Sequence, residues 1–306
     1  YETNASLNKN AAAMVVAVLQ RRLASSTYAM LESLKRRRAR ILQEASGTPD
    51  NRQQDDLSLQ QVMDYFDNST ADDNEASDDG RETEERVEAG ALALVKPASK
   101  AQLKKELEYL DRINELGESV RASLQEAKFF KLRELIESAE YQNEKLLIFT
   151  EHRDTLEYLR QRFEALGYTG EVAHIHGGMD VEEREQQRIF FMPPEIRRAQ
   201  GVKNPDGPSA RILLATDAAG EGINLQFAWI MVNFDIPWNP ARLEQRMGRL
   251  HRFGQKHPEV RIFNLVAEKT REGDVLSTLL DKLEEARKAL CNDKVFDVIG
   301  QLLQDM

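Results

Sequence analysis

The C-terminal half of this 306-residue chain alternates short apolar runs with longer stretches of helical periodicity. The apolar runs, which we predict as strands, cover residues 146–149, 172–175, 212–215, 230–234 and 260–266. The helical patterns between them cover residues 156–163, ending at Gly167, and then 180–191, 240–250 and 272–290. Because strands alternate with helices, we expect an α/β fold, with a parallel sheet covered by helices on both faces.

The N-terminal part carries a purely helical pattern. Apolar residues recur at helical spacing from 14 to 23 and from 31 to 42, on either side of a break at Ser25-Ser26-Thr27. Residues 99–139 predict one long amphipathic helix or two in series, with Gly117 as the expected break. A basic cluster on the second helix is most simply a solvated face, with contact to nucleic-acid phosphates as the alternative. It comprises Lys35, Arg36, Arg37, Arg38 and Arg40.

Two stretches depart from these patterns. Residues 47–90 are acidic and small, and they contain too little apolar surface to offset the entropy of ordering, so we expect a mobile insertion with a short helix at 57–66. Residues 192–209 contain four prolines, and we expect a surface insertion between structural units: Pro193, Pro194, Pro205 and Pro208.

Composition narrows the class of protein. Hydrophobic residues make up 41% and charged residues 31% of the chain, which predicts a real core beneath a very polar surface. The formal net charge of -10 argues against a simple nucleic-acid coat, although it does not exclude local basic patches. The single cysteine, Cys291, excludes an intramolecular disulfide framework and a multi-cysteine zinc site. No histidine spacing matches a metal-ligand motif.

The ends of the chain and its hydropathy bear on location. The longest apolar stretch near the start, residues 11–19, falls far below the roughly 20 residues of a membrane span. The first residues are polar and lack the basic region of a signal peptide. We therefore expect a soluble, cytoplasmic protein with no membrane partner. Since the sequence begins with Tyr1 rather than methionine, we expect it to be a fragment of a longer protein.

Polar and glycine residues follow each predicted strand, at the edge where parallel sheets bind their ligands. Gly177 and Gly178 let backbone amides approach a phosphate without interference from a Cβ atom. Thr216 offers a hydroxyl ahead of a helix N-terminus, which favours anions. Arg249 and Arg252 are three residues apart on one helical face and suit the stabilisation of charge on a γ-phosphoryl group in transfer. Together, these residues predict a phosphate-binding site.

The motifs and their order resemble those of the superfamily 2 helicase-like ATPases. Residues 245–255, QRMGRLHRFGQ, resemble motif VI in its SWI/SNF-type version. Residues 216–225 resemble motif V, residues 176–179 the nucleic-acid-contacting motif before it, and residues 146–150 motif IV. The form of motif V is similar to that of bacterial members, among them RNA-polymerase-associated recycling factors and helicases of phage-defence islands. Residues 19–38 also resemble the segment that joins the two motor lobes in that bacterial group.

The resemblance implies a fold and a domain organisation. The fold would be the RecA-like second motor lobe, with a helical lead-in before its parallel sheet. The expected units are a helical inter-lobe segment at 1–45, the acidic insertion at 46–98, an amphipathic helical linker at 99–140 and the RecA-like lobe at 141–306.

The resemblance also implies roles for individual residues. The expected catalytic residues, acting as arginine fingers, are Arg249 and Arg252. The expected nucleotide-binding residues are Gly220, Glu221, Gly222 and Gln245. The expected nucleic-acid-binding residues are Thr150, His176, Gly177, Gly178, Thr216 and Asp217. No metal ligand is expected on this chain.

Two sequence features of a complete motor are missing. No glycine is followed by lysine, so the phosphate loop is absent, and no Asp-Glu dipeptide supplies the box that holds magnesium. The resemblance therefore implies that ATP and Mg2+ are cofactors only of the two-lobe enzyme, whose N-terminal lobe would be a partner of this chain. Alone, the chain should not hydrolyse ATP. The implied nucleic-acid partner is duplex DNA, with a protein complex as a further partner.

Alternatives remain open at this stage. Thr216 and Asp217 also suit helix capping, Glu221 also suits a solvent-facing position or a pair with a motif VI arginine, and Trp238 also suits simple packing. Within the enzyme class, strand separation or work on RNA is the alternative to translocation on duplex DNA. From another class, the alternative function is a non-catalytic lobe that binds nucleic acid or protein.

Overall fold

The computed structural model describes residues 15–46, 87–88, 90, 100–122, 126–217, 225–237, 240–250, 255 and 257–266. A parallel sheet organises the second half of these residues. Its strands are β1 (Leu146–Thr150), β2 (Val172–Ile175), β3 (Ile212–Thr216), β4 (Ile230–Asn233) and β5 (Arg261–Asn264). The spatial order is β2-β3-β1-β4-β5, and all neighbouring pairs are parallel. The RecA-like α/β class predicted from the sequence is confirmed.

The three central strands are buried on both faces, which explains why their sequences are continuous apolar runs. Side chains alternate between two cores: Leu147 and Phe149 join one, whereas Leu146 and Ile148 join the other. The outermost strands, β2 and β5, are only partly buried, as strands with one neighbour are expected to be.

Helices cover both faces of the sheet. In chain order the helices are α1 (15–25), α2 (Thr27–Ser46), α3 (Lys100–Ala122), α4 (Ala127–Glu137), α5 (Arg153–Ala165), α6 (Val181–Phe191), α7 (Pro194–Ala199) and α8 (Pro240–Met247). Phe129 of α4 and Phe163 of α5 pack in the core beneath Ile148, whereas Phe191 of α6 and Met247 of α8 pack in the opposite core. The predicted strands and helices of this half are therefore confirmed wherever the structure describes them.

The lead-in consists of α1, α2 and α3. The predicted break between the first two is confirmed at Ser26, whose hydroxyl accepts the Ala29 N–H at 3.0 Å and so caps α2. Helices α2 and α3 pack together through a buried cluster that includes Leu34, Ile41 and Leu110.

The predicted break at Gly117 is wrong, because α3 continues through it to Ala122. The glycine instead serves close packing. A Cβ atom at this position would lie 2.5 Å from Cδ2 of Leu31, which is fully buried in α2. The absent side chain therefore makes room for a neighbouring helix rather than ending its own.

Residues 192–209 are more structured than a simple surface insertion. They contain α7, and Arg197 of this helix is only 3% exposed. Its guanidinium donates to the carbonyl oxygens of Ile189, Phe190, Gly207 and Pro208 at 2.8–3.1 Å. One buried arginine thus ties the segment back to the end of α6, and sequence periodicity carries no signal for such a contact.

Of the predicted acidic insertion, the structure describes Ser46, 87–88 and 90. Residues 87–88 and 90 are helical and buried, and Glu88 is 3% exposed. The predicted helices at 57–66 and 272–290, and also Cys291, lie outside the described residues.

Candidate functional site

The carboxyl ends of β2, β3 and β1 bring most of the predicted nucleic-acid-binding residues to one edge of the sheet. Thr150 ends β1 directly opposite Thr216, which ends β3. Ile175 of β2 pairs with Ala215, so His176 follows at the same level. The structure therefore groups residues from three motifs, from Thr150 to Thr216, at the edge that the parallel topology predicted.

The turn after β2 contains His176, Gly177 and Gly178. His176 is 8% exposed, Gly177 is buried, and Gly178 is exposed at the tip. Arg184 of α6 donates to the carbonyl oxygen of Gly177 at 2.8 Å, which holds the turn against the helix. Asp180 then begins α6 with a capping box in which its carboxylate accepts the Glu183 N–H at 2.8 Å.

Thr150 is fully buried, and its hydroxyl donates to Oδ2 of Asp235 at 2.6 Å. The same oxygen accepts the hydroxyl of Ser25 at 2.5 Å, and Oδ1 accepts the N–H of Glu151 at 2.7 Å. In this conformation, the Thr150 side chain therefore supports Asp235 rather than facing a ligand. Nucleic-acid binding by Thr150 remains a prediction.

Arg246 of α8 lies across the end of β1 and connects the two neighbouring strands. Its guanidinium donates through Nε and Nη2 to both oxygens of Asp217, with Nη2 at 2.8 Å. Nη1 donates to Oδ1 of Asn233 at 3.1 Å and to the carbonyl oxygen of Asp235 at 2.8 Å. The guanidinium carbon also lies 5.3 Å from the ring centroid of Phe149. This one side chain thus fixes α8 to the ends of β3 and β4.

The charge of Arg246 is compensated locally. The residue is 2% exposed, and burial on its own would lower the pKa of its guanidinium. The carboxylates of Asp217 and Asp235 outweigh burial and raise that pKa, so the group stays charged. An ion pair of this kind is sensitive to the loss of either partner, because the remaining charge would be buried alone.

The arginine expected to act in catalysis follows this anchor. Arg249 lies in the turn directly after α8, is half-buried, and donates its main-chain N–H to the carbonyl oxygen of Arg246 at 3.0 Å. Gln245 precedes the anchor and is exposed. The predicted site residues Arg252, Gly220, Glu221 and Gly222, and also Trp238, lie outside the described residues.

The basic cluster on α2 lies among carboxylates. Each of its first four members has an acidic partner: Lys35 with Glu118, Arg36 with Asp154 and Glu88, Arg37 with Glu106, and Arg38 with Asp111. The nitrogen–oxygen distances run from 2.5 to 3.1 Å. The basic side chains are thus engaged in ion pairs within the protein. This pairing favours neither a solvated helix face nor contact with nucleic-acid phosphates.

Sequence reasoning placed Arg246 and Asp235 near the site but gave them no role. The one available signal was position: Asp235 follows a strand, and Arg246 lies beside the predicted catalytic arginine. The partners themselves come from segments 29 and 210 positions away, which no local pattern indicates.

The described residues contain no group of three or more His, Cys, Asp or Glu side chains arranged to hold a metal ion. Within the same ranges, no helix is both long enough and apolar enough to cross a membrane.

Comparison with known proteins identifies the part of the chain that carries this edge. The family described as helicase conserved C-terminal domain matches residues 127–254. Over this segment the chain is therefore similar to helicase C-terminal domains. The matched segment includes β1 to β4 and the arginine-bearing helix α8, so the sheet edge described above lies within it.

The relatives confirm the resemblance to bacterial and SWI/SNF-like helicases. The chain is 33% identical over 180 residues to an uncharacterized ATP-dependent helicase, YqhH, of Bacillus subtilis (strain 168), covering 59% of this chain and 28% of that protein. It is 33% identical over 179 residues to a putative SWI/SNF-related matrix-associated actin-dependent regulator of chromatin subfamily A member 3-like 1 of Arabidopsis thaliana, covering 58% and 18%. It is 37% identical over 118 residues to the RNA polymerase-associated protein RapA of Serratia proteamaculans (strain 568), covering 38% and 10%.

Among solved structures, the C-terminal part of the Fun30 ATPase domain is similar at 26% identity and a TM-score of 0.41, covering 50% of this chain and 45% of that one. The chain spans less than a third of the length of the curated relatives it matches.

Proposed function

We propose that this chain is the second motor lobe of an ATP-dependent nucleic-acid translocase. In this proposal ATP binds between two lobes, and the first lobe supplies the phosphate loop and the carboxylates that hold Mg2+. The present lobe supplies Arg249 and Arg252 as arginine fingers, which stabilise charge on the γ-phosphoryl group while water attacks it. Closure of the lobes then shifts the grip on one nucleic-acid strand.

One observation supports the proposal most strongly: the ion pair of the buried Arg246 with the partly buried Asp217. It fixes the start of the Arg249 turn to the end of β3, where the predicted nucleic-acid residues Thr216 and Asp217 lie. An arginine finger must be held in place before the charge develops, because positioning and electrostatic stabilisation supply most of the catalysis in phosphoryl transfer. The buried side chain of Arg246, three residues before Arg249, provides such an anchor.

The nucleic-acid grip is assigned to the turn after β2 and to the end of β3. Exposed Gly178 would present its backbone amide to a phosphate, with the capping box at Asp180 keeping the following helix N-terminus in place. Gly220, Glu221, Gly222 and Gln245 are assigned to the nucleotide. Duplex DNA is the proposed track, by analogy with SWI/SNF-like relatives, and the cytoplasm is the proposed location, by analogy with the bacterial relatives.

The proposal is tested by ATP turnover of the full-length protein with duplex DNA, single-stranded DNA and RNA in parallel. Stimulation by duplex DNA is expected, and the present chain alone should show no turnover. If RNA stimulated turnover and duplex DNA did not, RNA would be the track instead of duplex DNA. Turnover by the isolated chain would contradict the need for a first lobe.

The finger assignment has its own test. Arg249→Ala should abolish turnover in the full-length protein while leaving nucleic-acid affinity nearly unchanged, because an arginine finger acts in the transition state. The matched control is Arg133→Ala on the far helix α4, where Arg133 forms an exposed pair with Glu137 and turnover should be unaffected. Turnover retained by Arg249→Ala would remove the finger role.

A binding module without catalysis is the competing outcome. It would show no turnover with any polymer, yet would bind nucleic acid with the steep salt dependence of phosphate contacts. A salt-insensitive interaction would instead indicate a protein partner.

A further inference from the structure

The lead-in helix α1 and the arginine helix α8 share two carboxylates. On α1, Arg21 and Ser25 are four residues apart and therefore lie on one face. On α8, Arg242 and Arg246 are likewise four residues apart. Between these two faces lie the carboxylates of Glu151 and Asp235.

The first bridge runs through Asp235. Ser25 donates its hydroxyl to Oδ2 at 2.5 Å, while Nη2 of Arg246 lies 3.7 Å from Oδ1 and Nη1 of Arg246 donates to the main-chain carbonyl. With the hydroxyl of Thr150 and the N–H of Glu151 also donated to it, the carboxylate has donors on both oxygens. Asp235 is 3% exposed, so water cannot easily replace a donor that leaves.

The second bridge runs through Glu151, directly after β1. Arg21 donates to both of its oxygens, with Nε at 2.7 Å from Oε2. Nη1 of Arg242 approaches Oε1 at 4.0 Å. The Glu151 side chain is only 8% exposed, which strengthens both interactions over those of a surface pair.

We propose that these two bridges couple the lead-in to the arginine helix, with Ser25 and Asp235 acting as positioning residues for Arg249. Movement of α1 would withdraw Ser25 and Arg21 from two buried carboxylates. Those carboxylates would then be satisfied only by the residues of α8 and the end of β1, which shifts the helix that begins the Arg249 turn. The part of the proposal that concerns ATP turnover rests on the motor function proposed above.

The lead-in is also bound to α5, and this second attachment supplies a matched control. Oγ1 of Thr155 lies 2.7 Å from Oγ of Ser25 and 2.8 Å from Oγ of Ser26. Thr155 makes these contacts to the lead-in but is not bonded to Asp235. Thr155→Val therefore loosens the lead-in on α5 while leaving the Ser25–Asp235 bond in place.

The test is amide hydrogen exchange of the full-length protein in the absence of ATP. Ser25→Ala should speed exchange in the peptide covering 240–250 about tenfold, the size expected for loss of one buried hydrogen bond to a charged group. Ser25→Thr retains the hydroxyl and should restore slow exchange. Thr155→Val should change exchange in α1 and α2 but not in 240–250.

Two results would overturn the coupling. One is a Ser25→Ala effect that stays within 15–46 and α5, and the other is an equal effect of Thr155→Val on 240–250. In the double variant Ser25→Ala with Asp235→Asn, the effects should be less than additive, because both changes break the same bond. Full additivity would also contradict the proposal.

Turnover provides the second readout. Ser25→Ala should lower kcat about tenfold with KM little changed, since a misplaced finger affects the transition state more than ATP binding. Ser25→Thr should restore kcat. Absence of turnover in the unmodified protein would refute the motor function but leave the exchange result intact, so the two failures are distinguishable.

Discussion

The Arg246 guanidinium faces both carboxylate oxygens of Asp217, and this pair joins the helix before the Arg249 turn to the end of β3. The two residues are 29 positions apart in the sequence, and the strand between them in space, β1, comes from much earlier in the chain. The contact therefore spans the end of β1, which the strand order places between β3 and β4.

Arg246→Ala should destabilise the protein by about 3–5 kcal/mol, because it leaves the buried Asp235 and the partly buried Asp217 without their partner charge. Arg246→Lys should recover only part of this loss, since an ammonium cannot reproduce the two-pronged contact. Urea unfolding of the purified chain measures both. Arg198→Ala, which removes an exposed pair with Asp206, is the control and should cost less than about 1 kcal/mol. Equal costs for the two alanine variants would show that Arg246 is not an anchor.

Gly117→Ala should destabilise α2–α3 packing by about 1 kcal/mol. The added Cβ would meet Cδ2 of Leu31 at 2.5 Å, and this overpacking, typically about 1–3 kcal/mol, exceeds the roughly 1 kcal/mol that alanine gains over glycine in a helix. In a Leu31→Ala background the sign should reverse, because the obstructing side chain is gone. Thermal or urea unfolding of the wild type, the two single variants and the double variant completes this double-mutant cycle. A stabilising Gly117→Ala in the unmodified background would contradict the steric account.

Asp154→Asn should destabilise the protein by about 2 kcal/mol near neutral pH, the scale of hydrogen bonds to a charged group. Burial on its own would raise the pKa of the Asp154 carboxyl, but Arg36 and Arg22, at 2.8 and 2.6 Å, hold it below its usual range. The stabilisation is therefore present above the unfolded-state pKa near 3.9 and is lost as pH falls through the lower folded-state value.

Unfolding free energies of the wild type and Asp154→Asn, measured from pH 6 down to pH 3, should thus converge in acid. Asp206→Asn, at an exposed pair, should show little difference at any pH. A constant gap between the wild type and Asp154→Asn across this range would rule out the ionic contribution.

Lys145 should make stability rise with pH in the alkaline range. Its ammonium lines a cleft of about 650 Å³ at the amino edge of the sheet and donates to Oγ of Ser209 at 2.8 Å and to the carbonyl oxygen of Ala210 at 2.5 Å. Burial, and then the positive charge of Arg197, lower its pKa from 10.5 to about 8. Between these two values the unfolded chain binds more protons, so the free energy of unfolding increases with pH.

The comparison is with Lys145→Gln, which keeps a donor but does not titrate. The stability of the wild type relative to this variant should increase from pH 7.5 to 9.5, as measured by urea unfolding. A flat or falling difference would mean that burial does not lower the pKa of Lys145.

Much of the fold follows from the sequence. The apolar runs that became β1, β3 and β4 are buried on both faces, and continuous apolar runs between helical patterns are the usual signature of a parallel sheet. That His176, Thr150 and Thr216 lie at one edge could be predicted without the strand order, because parallel strands all end on the same side of the sheet.

The tertiary structure decided which residues from distant segments contact one another. The sequence alone determined the elements, their polarity and the edge to which Thr150, His176 and Thr216 come, because periodicity and motif order are local properties of the chain. It could not determine that Thr150 would support Asp235, that Gly117 would admit Leu31, or that Ser25 would reach the end of β4. These contacts join segments 85 to 210 positions apart, and they are fixed by strand order and by the need to satisfy buried polar and packed apolar groups together.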